Sequence, residues 1–486
     1  MKMAAAILLL MSSTFFVGQT GSGVQKAMDE AMKPSPLEHN LQVLTDQIGG
    51  RVPGTPAMQR AIDWAVQGFK AAGADKVHTE KFQIAHSWAE GDTRVEVVAP
   101  VRFRVRAVSI AYAPAIAPVR ARVVDVGRGS EEDFAKAGNV SGAILLVHSK
   151  VIASWDDLFA EYMEAPPILE WAARGKAAVV AFTSTREHDL LYRHNNSLTG
   201  SPQSQPAVLL AREDSERVAR LLKSGERVEM QISAPNTIGG PIETANVIAE
   251  IQGAELPDEF VILGAHLDSW ELGTGALDNG CSSALVIDTL RAIKAAGIRP
   301  RRSVRFILFS GEEEGMLGSL AYAHAHRNEL DKADAVIIFD SGTGRVTGFS
   351  LGGRHDIADR LQQIAAPLQS LNATTMTFDA PIGTDNFDFL LEGVPNLIAN
   401  QDAENYLVNY HASSDTYDKV DLGNLKKMTA IAAGITTAIA NAPERLGRRQ
   451  SRDEIEKLLR DAEVEPQMRV FGMWSDWESG KRGRAK

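Results

Sequence analysis

The sequence predicts an α/β fold, because short apolar segments alternate with helical patterns over its second half. Apolar runs of five or six residues, typical of buried strands, occupy Phe260–Gly264, Val304–Phe309 and Ala335–Phe339. The stretches between them, Asn279–Gly297 and Gly315–Asn328, carry apolar residues at helical spacing. Alternation of this kind is typical of a largely parallel sheet with helices on both faces.

The segments on either side extend this pattern. Two helices are expected within residues 36–75, the second beginning after the turn-forming segment Arg51–Pro56. Further strands are expected at Val77–Phe82 and Asn246–Ile251. A helix over residues 421–442 would complete the fold.

Residues 100–235 have a different character. Val119–Val126 alternates like a half-exposed strand, and Ala143–Val147 is a short, fully apolar strand. We interpret this region as an inserted β-rich domain, with residues 23–99 and 236–445 forming the main domain around it.

The last part of the chain, residues 446–486, is highly charged. It contains one expected short helix, at Arg452–Asp461, and ends in the basic run Gly480–Lys486. Because the run is short and polar, we expect it to be solvated. The whole extension is expected to lie at the periphery.

Composition limits the class of function. A chain of 486 residues that is 44% hydrophobic can bury at least one large core. The formal net charge of −11 disfavours nucleic acid as a partner, because its phosphates would be repelled. A single cysteine, Cys281, excludes both an intrachain disulfide and a cysteine-based zinc cage.

The first residues have the pattern of a targeting segment. Lys2 precedes the apolar run Ala4–Met11, and Phe15–Val17 extends this run after two serines. The run is too short and too interrupted to span a membrane comfortably, so we interpret residues 1–22 as a signal peptide. The mature protein is then expected to be secreted or periplasmic and soluble; a retained anchor is the alternative.

Polar residues that can bind metal follow three of the predicted strands directly. They are His266, the pair Glu312 and Glu313, and Asp340. In open α/β sheets, ligands bind beyond the carboxyl ends of the strands, so these side chains should converge. Asp278 precedes a predicted helix, where a carboxylate is favoured electrostatically.

A second imidazole would come from His411, in a predicted loop. Taken singly, each of these residues is more often a cap or a solvated side chain than a ligand. Together they combine two imidazoles with several carboxylates and no thiolate, a set that suits zinc better than cobalt or manganese.

The charges favour two metal ions. Two divalent cations bring four positive charges, and Asp278, Glu313 and Asp340 bring three negative ones. The remaining positive charge would lower the pKa of a water held there. Glu312 would then be free to take a proton from the water and pass it to a leaving amine.

These residues and their surroundings resemble the complete site of the di-zinc exopeptidases that include bacterial aminopeptidases and glutamate carboxypeptidase. Within that family, the carboxypeptidase Q branch is the most similar. The motifs that carry the resemblance are His266–Trp270, Asp278–Gly280, Glu312–Gly318, Asp340, Thr384–Phe387, Gly393–Pro395, His411 and Asp415–Thr416. The similarity spans roughly residues 37–442.

The resemblance implies a role for each matching residue. His266, Asp278 and Asp340 would bind one zinc ion, and Asp278 would bridge to a second ion held by Glu313 and His411. Glu312 would be the general base, and the carboxylate of Asp268 would orient His266. The resemblance further implies a cis peptide between Asp278 and Asn279, a phosphorylase/hydrolase-like mixed sheet, a protease-associated inserted domain and a homodimer.

Three nearby residues have less certain roles. Tyr406 and Tyr410 precede His411 and would polarise the scissile carbonyl or line the pocket, with aromatic packing as the alternative. Cys281 is expected to be a small packing residue at a helix start rather than a nucleophile.

We therefore expect a secreted zinc-dependent exopeptidase that hydrolyses small unblocked peptides, with dipeptides as the expected substrates. A broad aminopeptidase, which anchors the other terminus, is the alternative. The rivals from other classes are a catalytically silent binding or receptor module and a cyclising aminoacyltransferase with one zinc ion. Every ligand position and the base are present in the sequence, which disfavours the silent module.

Overall fold

A computed structural model describes residues 22–196, 198–403 and 405–485. Most of its helices begin after a polar or proline-containing turn and present an apolar face to the core. In chain order they are α1 (22–31), α2 (Leu37–Gln42), α3 (Pro56–Ala71), α4 (Glu131–Ala137), α5 (Trp155–Arg174), α6 (Arg212–Lys223), α7 (Cys281–Ala295), α8 (Leu317–Ala325), α9 (Ala358–Ile364), α10 (Asn386–Leu391), α11 (Tyr406–Asn409), α12 (Leu422–Asn441), α13 (Arg452–Asp461), α14 (Val464–Val470) and α15 (Trp474–Ser479). Short irregular helical turns lie at Val43–Ile48, Ala276–Gly280, Leu330–Lys332, His355–Ile357, Ala366–Leu371 and Tyr417–Lys419.

The strands form two large sheets and one short pair. In chain order they are β1 (Lys76–Ile84), β2 (Trp88–Ala89), β3 (Arg94–Ala99), β4 (Phe103–Val105), β5 (Ala107–Ser109), β6 (Ile116–Asp125), β7 (Ile144–Val147), β8 (Val179–Thr183), β9 (Ala207–Leu210), β10 (Glu229–Ala234), β11 (Thr237–Ile238), β12 (Ile242–Ile251), β13 (Leu256–His266), β14 (Arg302–Phe309), β15 (Ala333–Ile338), β16 (Val346–Ser350), β17 (Thr375–Thr377) and β18 (Asn396–Gln401).

The first sheet has eight strands in the order β1-β12-β14-β13-β15-β18-β16-β17. The four strands β14, β13, β15 and β18 at its centre run parallel. Antiparallel pairs extend it on both sides, β12 with β14 and β1 on one side and β16 with β18 on the other. The sheet is therefore mixed, and the expectation of a largely parallel sheet holds for its centre alone.

Helices cover both faces of this sheet, as its apolar strands require. Side chains alternate along β13, so Val261 and Leu263 lie in the core that includes α3, α7 and α12. Ile262, between them, points to the opposite core, which includes Tyr322 of α8 and Phe389 of α10. The predicted helix over 421–442 corresponds to α12, and the predicted helix after Gly315 is shorter, at α8.

The second sheet also has eight strands, in the order β4-β3-β10-β6-β7-β8-β9-β5. All of them lie between Arg94 and Ala234, so they interrupt the chain between strands of the first sheet. Four of them, β6 to β9, run parallel, and the region also contains α4, α5 and α6. This part of the chain is thus α/β in character, rather than only β-rich.

The charged extension does not lie at the periphery. Ile455, Leu458 and Leu459 of α13 share one helical face and are buried in a cluster with residues of α10, α14 and α15. Arg482, in the basic run that was expected to be solvated, is also buried. It donates to both carboxylate oxygens of Asp388, at 2.8 and 3.0 Å. The extension therefore packs against α10, which begins within the motif Thr384–Phe387.

Residues 1–21 of the expected signal peptide lie outside the described residues. In the part of the chain that the structure does describe, we find no helix with both the length and the apolarity needed to cross a membrane.

Candidate metal centre

The first sheet brings three of the candidate positions to one edge. His266 is the last residue of β13, Glu312 and Glu313 lie in the turn after β14, and Asp340 follows β15 by two residues. Because β14 and β15 flank β13 and run parallel to it, their carboxyl ends meet. The convergence that strand order predicts is therefore present.

Asp278 reaches the same edge from the turn before α7. The carboxylate of Asp415 accepts the N–H groups of Ala276, Leu277 and Asp278, at 3.1, 2.7 and 3.1 Å. The side chain of Asp415 therefore holds the turn that carries Asp278. The peptide between Asp278 and Asn279 is cis, as the resemblance implies.

His266 and Asp340 form what we call the sheet-side pair. The Nε2 atom of His266 lies 3.0 Å from Oδ1 of Asp340 and 3.2 Å from Oδ1 of Asp278. The amide of Asn279 donates to the same Asp340 oxygen at 2.7 Å and to the carbonyl of Phe339 at 3.0 Å. All of these contacts join residues of the first sheet and its loops.

His411 and Glu313 form what we call the loop-side pair. The Nε2 atom of His411, from the loop after α11, lies 2.8 Å from Oε2 of Glu313 and 3.4 Å from Oδ2 of Asp278. The two oxygens of Asp278 thus face different histidines. Ligand atoms of His266, Asp278 and Glu313 all lie within 4.8 Å of one another. Asp278 therefore stands between two histidine–carboxylate pairs.

Glu312 lies at the same place but outside both pairs. Its Oε2 atom is 4.0 Å from Nε2 of His266, and its side chain, 11% exposed, is the most open of the site carboxylates. Burial, reinforced by the charges of Asp340 and Glu313, raises the pKa of Glu312 well above its ordinary value. A carboxyl group with this exposure and elevated pKa suits a group that accepts and returns protons.

Asp268 orients the site differently from the expectation. The Nδ1 atom of His266 donates to the main-chain carbonyl of Asp268 at 3.0 Å, whereas its carboxylate is 3.8 Å away. That carboxylate instead accepts the N–H groups of Glu312 and Glu313, each at 3.2 Å. The carbonyl of Asp268 therefore orients His266 and its carboxylate holds the glutamate turn, while the expected orienting role of the carboxylate stays a prediction.

The donor set has free oxygens that a metal ion could bind. Oδ2 of Asp278 and Oε1 of Glu313 are buried without a hydrogen-bond partner. Burial, reinforced by the charge of Asp278, raises the pKa of Glu313 well above its ordinary value. Burial also raises the pKa of Asp340. Buried carboxylates with free oxygens are costly unless a cation neutralises them, so these residues fit a metal ion.

The two histidines differ in charge when no metal is bound. Burial lowers the pKa of His411 to about 4, so its imidazole is neutral at pH 7, which is the form that binds metal. Burial opposes protonation of His266 as well, but the charge of Asp340 and the contacts with Asp278 and Glu312 together outweigh it and raise the pKa of His266 well above 6.5. A metal ion at the sheet-side pair would therefore replace a proton.

Arg51 supports the site without entering it. Arg51 is fully buried, and its guanidinium donates to the carbonyls of Leu267, Gly49, Thr274 and Gly275. Burial lowers its pKa to about 10, against the charges of nearby carboxylates. Because its donors are used by the main chain, Arg51 fixes the loops that carry the ligands.

Tyr406 and Tyr410 differ in how deeply they are buried. Tyr406 is buried, and its hydroxyl hydrogen-bonds to Asp278 and helps to lower the pKa of that carboxyl. Tyr410 is half-buried and stacks on His411 with ring centroids 3.7 Å apart, while its hydroxyl lies 2.9 Å from that of Tyr162 in α5. Both tyrosines touch the site, and both also pack against aromatic rings.

Cys281 is the first residue of α7 and is fully buried. Burial raises the pKa of its thiol to about 12, so the thiolate needed for a nucleophile is absent at neutral pH. This agrees with the expected packing role.

Two residues that hold the loop-side pair were missed from the sequence. The carbonyl of Arg193 accepts a hydrogen bond from Nδ1 of His411, and the amide of Asn195 donates to the carbonyl of Glu313, both at 2.9 Å. Both come from the region of the second sheet, more than 100 residues from their partners. The sequence offers one signal only, a run of polar residues at Arg193–Asn196 that no helical or strand pattern explains.

The fold and the site together define a class. Imidazoles and carboxylates meet at the carboxyl edge of parallel strands, with one further carboxylate beside them, as in metal-dependent hydrolases. Residues 246–436, which include every candidate ligand, match the profile of peptidase family M28. This part of the chain is similar to family M28 peptidases, and the chain is a metallo-exopeptidase.

The comparisons with individual proteins agree. Carboxypeptidase Q of Rattus norvegicus is 27% identical over 412 residues, which cover 84% of this chain and 86% of that protein. The structure of a peptidase M28 precursor from Shewanella amazonensis SB2B has a TM-score of 0.81 at 23% identity, covering 89% of this chain and 99% of that one. A zinc aminopeptidase from Bacillus subtilis has a TM-score of 0.66 at 18% identity, over 86% and 97%. The resemblance stated from the sequence is confirmed, and these structures share the mixed α/β fold.

Proposed function

We propose that this protein is a di-zinc exopeptidase that hydrolyses small unblocked peptides, with dipeptides as its main substrates. One observation carries the proposal: the two oxygens of Asp278 face two separate histidine–carboxylate pairs. A single metal ion would need one such pair. Two pairs that share a carboxylate are the arrangement expected of a two-metal site.

Zinc suits the donors, because two imidazoles and three carboxylates with no thiolate form its ordinary ligand set. His266, Asp340 and Asp278 would hold one ion, and His411, Glu313 and Asp278 the other. When bound, zinc would polarise the scissile carbonyl and lower the pKa of the attacking water.

The chain's own residues would then move the proton. Glu312, with an elevated pKa and a partly open side chain, would accept a proton from the attacking water at its carboxylate. The same carboxyl group would deliver that proton to the nitrogen of the leaving amine, so the group ends the cycle ionised as it began. Asp268 keeps Glu312 in place by accepting its N–H.

The charges near the site favour anchoring of a free amino group. The arginines whose charges act on site residues, Arg51 and Arg186, are both buried and already donate to protein oxygens. With both guanidinium groups occupied, neither arginine is free to bind a substrate carboxylate, so the free amino group is the terminus that we expect to be anchored.

The test is amino-acid release by the zinc-loaded protein from matched dipeptides with a free or an acetylated amino end. We expect cleavage of the free dipeptides and none of the acetylated set. Equal cleavage of both sets would mean that the carboxylate is anchored, and true carboxypeptidase action would replace the proposal. Cleavage of long free peptides as fast as dipeptides would favour the broad aminopeptidase.

A protein that releases nothing from either set with two zinc ions bound would favour the silent binding module. Release of cyclised products with one zinc ion would favour the cyclising aminoacyltransferase. The variant Glu312→Gln is the matched control, because it should bind zinc and release nothing.

We further propose that the protein is exported and forms a homodimer. Export follows from the signal-like segment at residues 1–22, and the dimer from the resemblance to the carboxypeptidase Q branch. Amino-terminal sequencing of the native protein tests the first, since an intact Met1 would contradict it. Light scattering after size-exclusion chromatography tests the second, and a mass near the 52.6 kDa of one chain would contradict it.

A further inference from the structure

A short segment of the second-sheet region, residues 191–195, pairs with the loop that carries His411. The N–H of Arg193 donates to the carbonyl of His411 at 2.9 Å, and Nδ1 of His411 donates back to the carbonyl of Arg193 at 2.9 Å. The N–H of Ser413 donates to the carbonyl of Leu191 at 3.0 Å. A candidate metal ligand is therefore held at its main chain and at its ring by a part of the chain 218 residues away.

The same segment also holds the second member of the loop-side pair. The amide of Asn195 donates to the carbonyl of Glu313 at 2.9 Å. Just beyond it, the chain passes so close to the glutamate turn that a Cβ on Gly315, which has φ +127°, would lie 2.3 Å from the carbonyl oxygen of Leu198. Only glycine permits this approach.

The side chain of Arg193 fixes the position of its own carbonyl. It is fully buried and donates to Glu90 at 2.6 Å, to Glu271, and to the carbonyl of Ser109. Glu90 lies before the second sheet and Ser109 lies within it. Glu271 follows the motif His266–Trp270. The guanidinium thus joins the two parts of the chain behind His411.

Among the described residues, the contacts of the sheet-side pair show no such dependence. His266 is oriented by the carbonyl of Asp268, and Asp340 is held by Asn279. These residues all belong to the first sheet and its loops. The two pairs therefore differ in origin although they share Asp278.

We propose that segment 191–195 is a structural part of the loop-side metal position, and that Arg193 and Asn195 are positioning residues that set the zinc affinity of this position alone. The inference rests on the proposed two-metal function. Partners that orient a ligand commonly change metal affinity 10- to 100-fold when removed. The two positions should therefore respond unequally to changes in this segment.

The experiment measures the two stepwise zinc affinities of the full chain by competition with a chromophoric chelator. The variants are Asn195→Ala, which removes the bond to Glu313, and Arg193→Met, which removes the guanidinium but keeps the length of the side chain. The control is Arg120→Met, which breaks an exposed ion pair with Glu229, 2.8 Å long, on the second sheet.

We expect each variant to weaken one zinc equivalent by about 10-fold or more and to leave the other within about twofold of wild type. The control should leave both unchanged. Equal weakening of both equivalents, or no weakening of either, would overturn the inference. If Arg193→Met does not fold, Asn195→Ala decides, because it leaves the buried charges paired.

The outcome separates this inference from the proposed function. A wild-type protein that binds two zinc ions and cleaves dipeptides, with variants that keep both affinities, would overturn the inference alone. A wild-type protein that binds one zinc ion would overturn the two-metal proposal and this inference with it.

Discussion

The two halves of the candidate site share a carboxylate but are built in different ways. His266 and Asp340 follow neighbouring parallel strands, so the sheet itself sets their separation. His411 lies in a loop and is held by Arg193, from a part of the chain that belongs to another sheet. One half therefore depends on secondary structure, and the other on how two parts of the chain dock.

This difference has a physical consequence. Strands in a buried sheet are among the last elements to open, whereas contacts between loops open at lower free energy. A metal position that depends on docking can lose its geometry without any change in the first sheet. Substitutions can therefore change both halves of the site, neither half, or one half.

The largest effect is expected from the residue that the halves share. Asp278→Ala removes the carboxylate that faces both histidines, so zinc content should fall sharply and activity should fall about 1,000-fold or more. Zinc content measured by atomic absorption after gel filtration checks this. Unchanged stoichiometry would contradict the bridging position of Asp278.

Glu312→Gln should change neither half and still stop the reaction. The amide cannot accept the proton of the attacking water, so kcat should fall about 100- to 10,000-fold while zinc content remains that of wild type. Steady-state kinetics and zinc analysis of the same preparation check both parts. Loss of zinc from this variant would mean that Glu312 is a ligand instead of the base.

Asn279→Ala is the counterpart of Asn195→Ala on the other half. It removes the amide that donates to Asp340 at 2.7 Å, so the zinc equivalent bound by the sheet-side pair should weaken about 10-fold. The loop-side equivalent should not change. Chelator competition on the two asparagine variants side by side checks this, and weakening of the same equivalent in both would remove the distinction between the halves.

The smallest effect concerns stability in the two sheets. Burial lowers the pKa of His326, but its contacts with Glu80, at 2.9 Å, and with Glu329 together outweigh burial and raise that pKa above 6.5. In the second-sheet region, the hydrogen bond that His148 donates to Asp125 raises the pKa of His148. Because both pKa values are higher in the folded state, each pair stabilises fully below pH 6.5 and less as the pH rises through the folded pKa.

We therefore expect the wild-type Tm to fall between pH 6.5 and pH 8.5 more steeply than that of His326→Gln, by an amount equivalent to about 1 kcal/mol. His148 is more exposed, so His148→Gln should have a smaller effect of the same sign. Calorimetry should show one transition that both variants shift, since segment 191–195 joins the two parts. Two separate transitions would show that the parts unfold independently.

The sequence predicts the half of the site that depends on strands. Strand ends are visible as apolar runs, so the positions of His266, Glu312 and Asp340 follow from the order of elements. Asp278 and His411 were predicted as ligands from the mix of imidazoles and carboxylates and from the resemblance. Their distances from one another could not be predicted, because loop geometry is not encoded in periodicity.

What the sequence did not predict depends on contacts between distant parts of the chain. Arg193 and Asn195 carry no local pattern, and their partners are 218 and 118 residues away. The hydrogen bond from His266 to the carbonyl of Asp268 was not predicted, because the carbonyl and the carboxylate of one residue cannot be distinguished by spacing.

The error about the last 40 residues has a related cause. Their many charges indicated a solvated extension, yet Ile455, Leu458 and Leu459 form a narrow apolar stripe that needs a partner. The pattern of apolar strands did not reveal the antiparallel edges of the first sheet, and only the resemblance implied a mixed sheet. A strand's direction depends on which neighbour it joins, and its own residues do not reveal this.

The most direct test of the two-metal centre is anomalous diffraction at the zinc absorption edge from crystals of the zinc-loaded protein. Two peaks are expected, one between His266 and Asp340 and one between His411 and Glu313, with Asp278 in contact with both. A single peak, or two peaks that do not share Asp278, would contradict the proposed centre.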